Sequence, residues 1–305
     1  LFLFKIYDNV NILNFILLSL FIGLQLQRGH IQIAYYTWMM IGLFITVRTC
    51  FFFRNKKYDT KEFKIFCYKN VYVFFSLFLG FLTSLSIYLP VINYTSISTR
   101  GSANGGFGID NATQWSLNFK EIITFILPYS YGFGGKNYWG YLPFTDFPNY
   151  IGILIIFLAL IGFMKSDIRK EYKVFFTLTI IFSLFLSFGK YFIGFYSIFY
   201  NWLPFFDKFR APIFILIIFQ FSIYVLAACG LSRISELIRD SKKIKYIYSC
   251  LSLIVILLII NSFIPQKLYP YKKFDGQHNE FFNRLKRTYS QLLISKDLNN
   301  DNIYN

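Results

Sequence analysis

A chain of 305 residues that is 55% hydrophobic, 22% aromatic and 15% charged is not an ordinary soluble domain, in which about a quarter of residues carry charge. Its net charge of +16 does not describe a nucleic-acid binder either. The Lys and Arg residues sit in short connections between apolar runs, not gathered on one soluble face.

What remains is an all-α, polytopic membrane helical bundle. A hydrocarbon core ~30 Å thick takes about 20 apolar residues per helix, and in lipid the backbone polar groups must be satisfied within the segment. That solvent overrides the strand preference of the abundant Ile, Phe and Tyr, an abundance that also fits an AT-rich coding sequence. Seven spans are predicted in chain order, at about 10–27, 31–53, 71–92, 150–164, 174–191, 212–231 and 244–264. The bundle occupies 1–265, with a long structured outer loop at 93–149 and an amphipathic interfacial helix near 120–127. Residues 266–305 form an outer tail that begins a further region. The chain opens on Leu1-Phe2-Leu3-Phe4 without a charged leader or a small-residue cleavage site. It reads as an internal piece of a longer protein.

Orientation follows from the connections. The stretch 54–69 holds six Lys and Arg, 165–173 four and 233–245 five, whereas 92–149 holds only Arg100, Lys120 and Lys136. Rich and poor loops alternate, so the amino end and the loops near 60, 169 and 239 are expected in the cytoplasm, and the long loops and carboxyl tail outside. Cys50, Cys67, Cys229 and Cys250 fall in or near the cytoplasmic halves of spans and form no CxxC or Cys/His group. They read as small packing residues. His30 and His278 are too far apart in the chain to suggest a metal pair. No cofactor is evident, and a divalent metal has no ligand cluster in these residues.

The outer connections carry the functional information. In Gln25-Leu26-Gln27-Arg28-Gly29-His30-Ile31-Gln32-Ile33-Ala34-Tyr35-Tyr36, the polar side chains at a membrane boundary are costly unless they face protein or a polar cavity. The plainer reading is interfacial anchoring. Around Arg100, a Gly-rich run leads to Asp110 and Trp115. Its backbone amides suit an anionic or polyol ligand and Trp115 offers a flat face, while a flexible linker would look the same. The stretch 127–150, with Lys136, Trp139 and Asp146, is too aromatic for a spacer. At 202–212, Lys208 and Arg210 stand beside Asp207 at an outer mouth. Arg suits phosphate oxygens; the alternative is a local ion pair followed by Pro212 in a helical first turn.

Taken in order, Gly29-His30-Ile31-Gln32-Ile33-Ala34-Tyr35-Tyr36, Asn111-Ala112-Thr113-Gln114-Trp115-Ser116, Tyr138-Trp139-Gly140, Pro143-Phe144-Thr145, Leu203-Pro204-Phe205-Phe206 and Phe209-Arg210-Ala211-Pro212 resemble the YfhO-like bacterial membrane proteins. The resemblance covers about residues 20–265. It implies membership of the multi-span glycosyltransferase superfamily, which moves a sugar from a polyprenyl-phosphate carrier to a cell-envelope glycan or polymer acceptor at the outer face of the bacterial cytoplasmic membrane. The expected partners are therefore membrane lipid, the polyprenyl-phosphate-linked sugar and that acceptor. Members usually carry the catalytic acid in a first outer loop, upstream of this stretch, and none of Asp110, Asp146 and Asp207 matches it. Direct displacement at the anomeric carbon is implied, with an upstream carboxylate as general base. Arg100, Lys208 and Arg210 would hold the departing phosphate, and Trp115, Trp139 and His30 would line the donor or acceptor groove. Two other classes share the helices: a lipid or glycan transporter or flippase, which calls for ionisable groups or broken helices at mid-membrane, and a non-catalytic scaffold.

Overall fold

The computed structural model describes residues 1–54, 59–95, 108–132, 134–135, 138–146, 148–165 and 167–239, with single positions at 248, 252, 255, 256 and 259. Among these residues every regular element is a helix, and the only bridge outside them joins Ser130 and Gly132. Arg100, Lys136, Cys250, His278, most of the seventh predicted span and the 266–305 tail lie outside the described residues.

The chain starts with a short helix, α1 (Phe2–Asp8), followed by α2 (Ile12–Gln27), α3 (Ile31–Arg54), α4 (Thr60–Leu82) and α5 (Leu85–Thr95). Asn11 begins α2 by accepting a hydrogen bond from the Leu13 amide at 2.9 Å. Asp59 does the same for α4 from the Thr60 amide at 2.6 Å, giving a free helix-end donor a partner. A loop region with the single turn α6 (Ile109–Ala112) and a 3-10 helix, Phe119–Phe125, precedes α7 (Ile153–Lys165), α8 (Lys170–Ser187), α9 (Ile193–Trp202) and α10 (Leu216–Arg239).

Among the described residues, three helices are long and apolar enough to cross a membrane: Ile31–Arg54, Thr60–Leu82 and Pro212–Ile234. A fourth results if Lys170–Ser187 and Gly189–Trp202, bent by 104°, count as one broken span. Much of the outer surface of the helices is apolar, with Ile12 and Phe74 each 63% exposed and Met164 68%. A surface of that kind needs lipid or another apolar partner.

Three of the predicted elements differ from the structure. The third span, read at 71–92, is two helices: α4 begins at Thr60 and stops at Leu82, and α5 starts at Leu85. Hydropathy marks only the apolar part of α4. Its first turns carry Lys61, Glu62 and Lys64 and are helical all the same, because Asp59 caps them. At the break, the Thr83 hydroxyl donates to Gly80 O at 2.7 Å and the Ser84 hydroxyl to Phe81 O at 2.8 Å. These side chains offer the backbone an alternative to the helical ladder. The connection after the fifth span, read as an outer loop, contains α9. The interfacial helix expected near 120–127 is a 3-10 helix one residue earlier, with Glu121, Thr124 and Phe125 buried.

Helices α7 and α10 cross closely. A Cβ built on Gly162 would collide with Leu226 O and approach Gly230 N to 2.9 Å, while one on Gly230 would collide with Leu158 O. Ala159 and Ala227 complete the small-residue stripes on the two helices. With no water to expel between helices in lipid, backbone proximity of this kind is what makes them adhere. Gly162 is thus a contact point within the continuous helix α7.

Candidate functional site

Hydrogen bonds join two of the predicted outer connections, the α2–α3 turn with the start of α3 and the 202–212 segment. At the α2–α3 turn, Gln25 Nε2 donates to Thr37 Oγ1 at 2.8 Å and Gln27 Nε2 to Thr83 O at 3.1 Å. The Tyr35 hydroxyl donates to Pro204 O at 3.0 Å. Gln32, buried in α3, donates both to Ala211 O at 3.0 Å and to the Tyr36 hydroxyl at 2.8 Å. Gln25 and Gln32 therefore face protein, whereas Gln27, Arg28 and His30 are exposed, and the Gln32 and Tyr35 hydrogen bonds stitch α3 to the 204–211 segment.

That segment is the centre of the site. Phe205 and Ala211 both have positive φ, at 63° and 69°. Left-handed backbone costs a residue with a Cβ roughly 1–2 kcal/mol, and such strain persists only where surrounding contacts impose it. The burial of Phe206 and Phe209 among Tyr35, Tyr36, Tyr196 and Phe199 supplies those contacts. Between the two strained residues the chain presents Asp207, Lys208 and Arg210. Lys208 pairs with Asp207 at 2.6 Å, and Pro212 opens a 3-10 helix, Pro212–Ile215. Both features are those of the plainer reading of this stretch.

Arg210 takes the other course. It is exposed, and its guanidinium lies over the Trp115 ring, 5.5 Å from the centroid. Trp115 is fixed from behind, since its carbonyl accepts the Ile213 amide at 3.1 Å. His30 stands edge-on to Phe214, with 5.3 Å between ring centroids. The structure thus gathers His30, Trp115 and Arg210 around residues 210–214, and directs Lys208 to Asp207. The Trp139 amide donates to Tyr131 O at 3.0 Å.

A carboxylate that the sequence reading passed over lies in the same loop. Glu121 is 2% exposed. Its Oε1 accepts from the Tyr138 hydroxyl and, at 3.0 Å, from the Tyr141 amide, and its Oε2 accepts from the Asn118 amide at 3.4 Å. Burial pushes the Glu121 carboxyl above the ordinary carboxylate range, while these hydrogen bonds pull it back. Burial and then the neighbouring carboxylate push the Tyr138 phenol up as well. A Cβ at Gly140 would strike both Glu121 Oε1 and the Tyr138 hydroxyl, which gives a physical reason for Tyr138-Trp139-Gly140. Glu121 is hidden in the sequence because it follows Lys120 in what reads as an amphipathic turn, and because its partners lie 17 and 20 residues on.

Among the described residues, no three His, Cys, Asp or Glu side chains come together as a metal site. No family model, curated protein or solved structure matches this chain.

Proposed function

We propose that this chain is part of a YfhO-like membrane protein that transfers a sugar from a polyprenyl-phosphate carrier to a cell-envelope acceptor at the outer face of the bacterial cytoplasmic membrane. The observation that supports this most is Arg210, exposed and held over Trp115 between two left-handed residues. A guanidinium presents paired donors that fit phosphate oxygens, and an aromatic face under it keeps it aimed without neutralising it. Lys208, already paired with Asp207, has a lesser part. In the proposed reaction the acceptor oxygen loses its proton to a carboxylate and attacks the anomeric carbon. The bond from that carbon to the phosphate oxygen breaks, and Arg210 stabilises the charge that develops on the leaving phosphate.

This reading takes seven spans, with 54–69, 165–173 and 233–245 cytoplasmic and 93–149 outside. In a variant lacking the native cysteines, Asn93→Cys and Asp146→Cys should react with an impermeant maleimide added to intact cells. Lys64→Cys and Lys170→Cys should react only after the membrane is opened. Labelling of both pairs from one side would refute the topology.

In the full-length protein, Arg210→Ala should slow transfer of a radiolabelled hexose from polyprenyl phosphate to the envelope fraction by about 10- to 100-fold, the effect of removing one charge-stabilising donor. Binding of a photoreactive polyprenyl phosphate should weaken in parallel. Unchanged turnover in an equally stable Arg210→Ala protein would overturn the assignment, and photoprobe binding without any hexose transfer would favour the transporter or scaffold class.

A further inference from the structure

The outer loop contains a small pocket between the 3-10 helix Phe119–Phe125 and the return of the chain through 138–149. Glu121, Thr124, Tyr131, Tyr138, Thr145 and Asn149 line it, and the space is that of about one water-sized group. Leu142 and Pro148 supply apolar wall, and the polar part of the lining can pair with a hydroxyl: a carboxylate, an amide, two threonines and two tyrosines. Carboxylate oxygens accept through several lone-pair positions. Glu121 Oε1 already takes two donors, whereas Oε2 takes one long hydrogen bond, from Asn118 at 3.4 Å.

Charge sorts this pocket from the Arg210 site. A phosphate approaching Glu121 meets a buried carboxylate, whereas a neutral hydroxyl can donate to it. At Arg210 the preference is reversed. The two places lie on one stretch of chain, with Trp115 six residues before Glu121. The Ser116 hydroxyl, next to Trp115, accepts the Lys190 amide at 3.0 Å. We propose that the Glu121 pocket is a subsite for a hydroxyl of a polyol or sugar, the neutral end of a ligand whose phosphate-bearing partner sits at Arg210. The inference rests on the sugar-transfer reading and names where the hydroxylated acceptor docks.

The test is hydrogen exchange on this chain, purified in a zwitterionic detergent so that no glycoside headgroup competes. Methyl hexopyranosides are the probe. Wild type should show slowed exchange at the Tyr141 and Leu142 amides when the hexoside is added. Glu121→Gln, which keeps the shape of the side chain, should bind the hexoside about tenfold more weakly or worse, as expected for loss of a hydrogen bond to a charged group. Asn149→Ala should weaken it too, and carries the test if Glu121→Gln does not fold. Arg210→Ala should leave hexoside protection intact while losing the polyprenyl-phosphate photoprobe. If no hexoside protects these amides while the photoprobe still depends on Arg210, the subsite is refuted and the phosphate reading stands. If hexosides protect but the photoprobe is indifferent to Arg210, the subsite stands and the phosphate reading falls. A structural Glu121 would give wild-type hexoside protection in a folded Glu121→Gln protein, which also refutes the subsite.

Discussion

Gly162→Leu is expected to leave little folded protein. Its Cβ would collide with Leu226 O and come within 2.9 Å of Gly230 N, so relief requires α7 and α10 to separate along their length. Overpacking a well-fitted interior costs about 1–3 kcal/mol and occasionally more. A backbone obstacle cannot rotate aside as a side chain can, so ~3 kcal/mol or more is expected, against a total stability of roughly 5–15 kcal/mol. Gly162→Ala should already be costly, and Gly230→Leu should behave as Gly162→Leu does. The control is Gly42→Leu in α3, where a Cβ meets nothing within 4 Å. Monodispersity and melting temperature in detergent are the measurements. Equal behaviour of Gly162→Leu and Gly42→Leu would show that the close crossing does not hold the bundle together.

A large loss is also expected at the opposite end of the molecule. Arg48 of α3 pairs with Glu171 in the first turn of α8, and the two side chains are 17% and 15% exposed. The Arg48 guanidinium also lies over the Tyr7 ring at 5.1 Å, and the Tyr7 hydroxyl donates to Asn70 at 2.5 Å. Lys69 donates to Tyr7 O, and Arg169 reaches Asp8 at 2.5 Å and Glu171 at 3.6 Å. One charged cluster thus ties α1, α3, α4 and α8. Breaking a fully buried pair costs about 3–5 kcal/mol because an unmatched charge stays behind. With these exposures Glu171→Gln should cost about 1–3 kcal/mol, read as a lower melting temperature. Arg48→Met combined with Glu171→Leu should recover most of it, since apolar replacement of both partners leaves no orphan charge. A double variant no more stable than Glu171→Gln would mean that geometry at this end, and not charge, sets the stability.

The sequence determined the solvent of this protein and the positions of its helices, and the reason is that lipid leaves the chain few choices. Apolar runs without partners for their backbone must be helical, so α2, α3, α7, α8 and α10 appear where hydropathy places them. Helix ends were not legible, because they depend on single capping groups. Asp59 extends α4 into polar sequence, and the hydroxyls of Thr83 and Ser84 end it inside an apolar run. Local spacing also left the roles of the candidate site residues undecided. Lys208 and Arg210 are two positions apart and read alike, yet tertiary structure gives one to Asp207 and the other to Trp115, 95 residues earlier in the chain. Glu121 acquires its meaning only when the chain returns with Tyr138, Gly140 and Tyr141. Composition and hydropathy are sums along the chain, and they fix what the solvent fixes. Which charges remain exposed and which are spent on the fold is a matter of long-range geometry, and only the packing of the helices decided it.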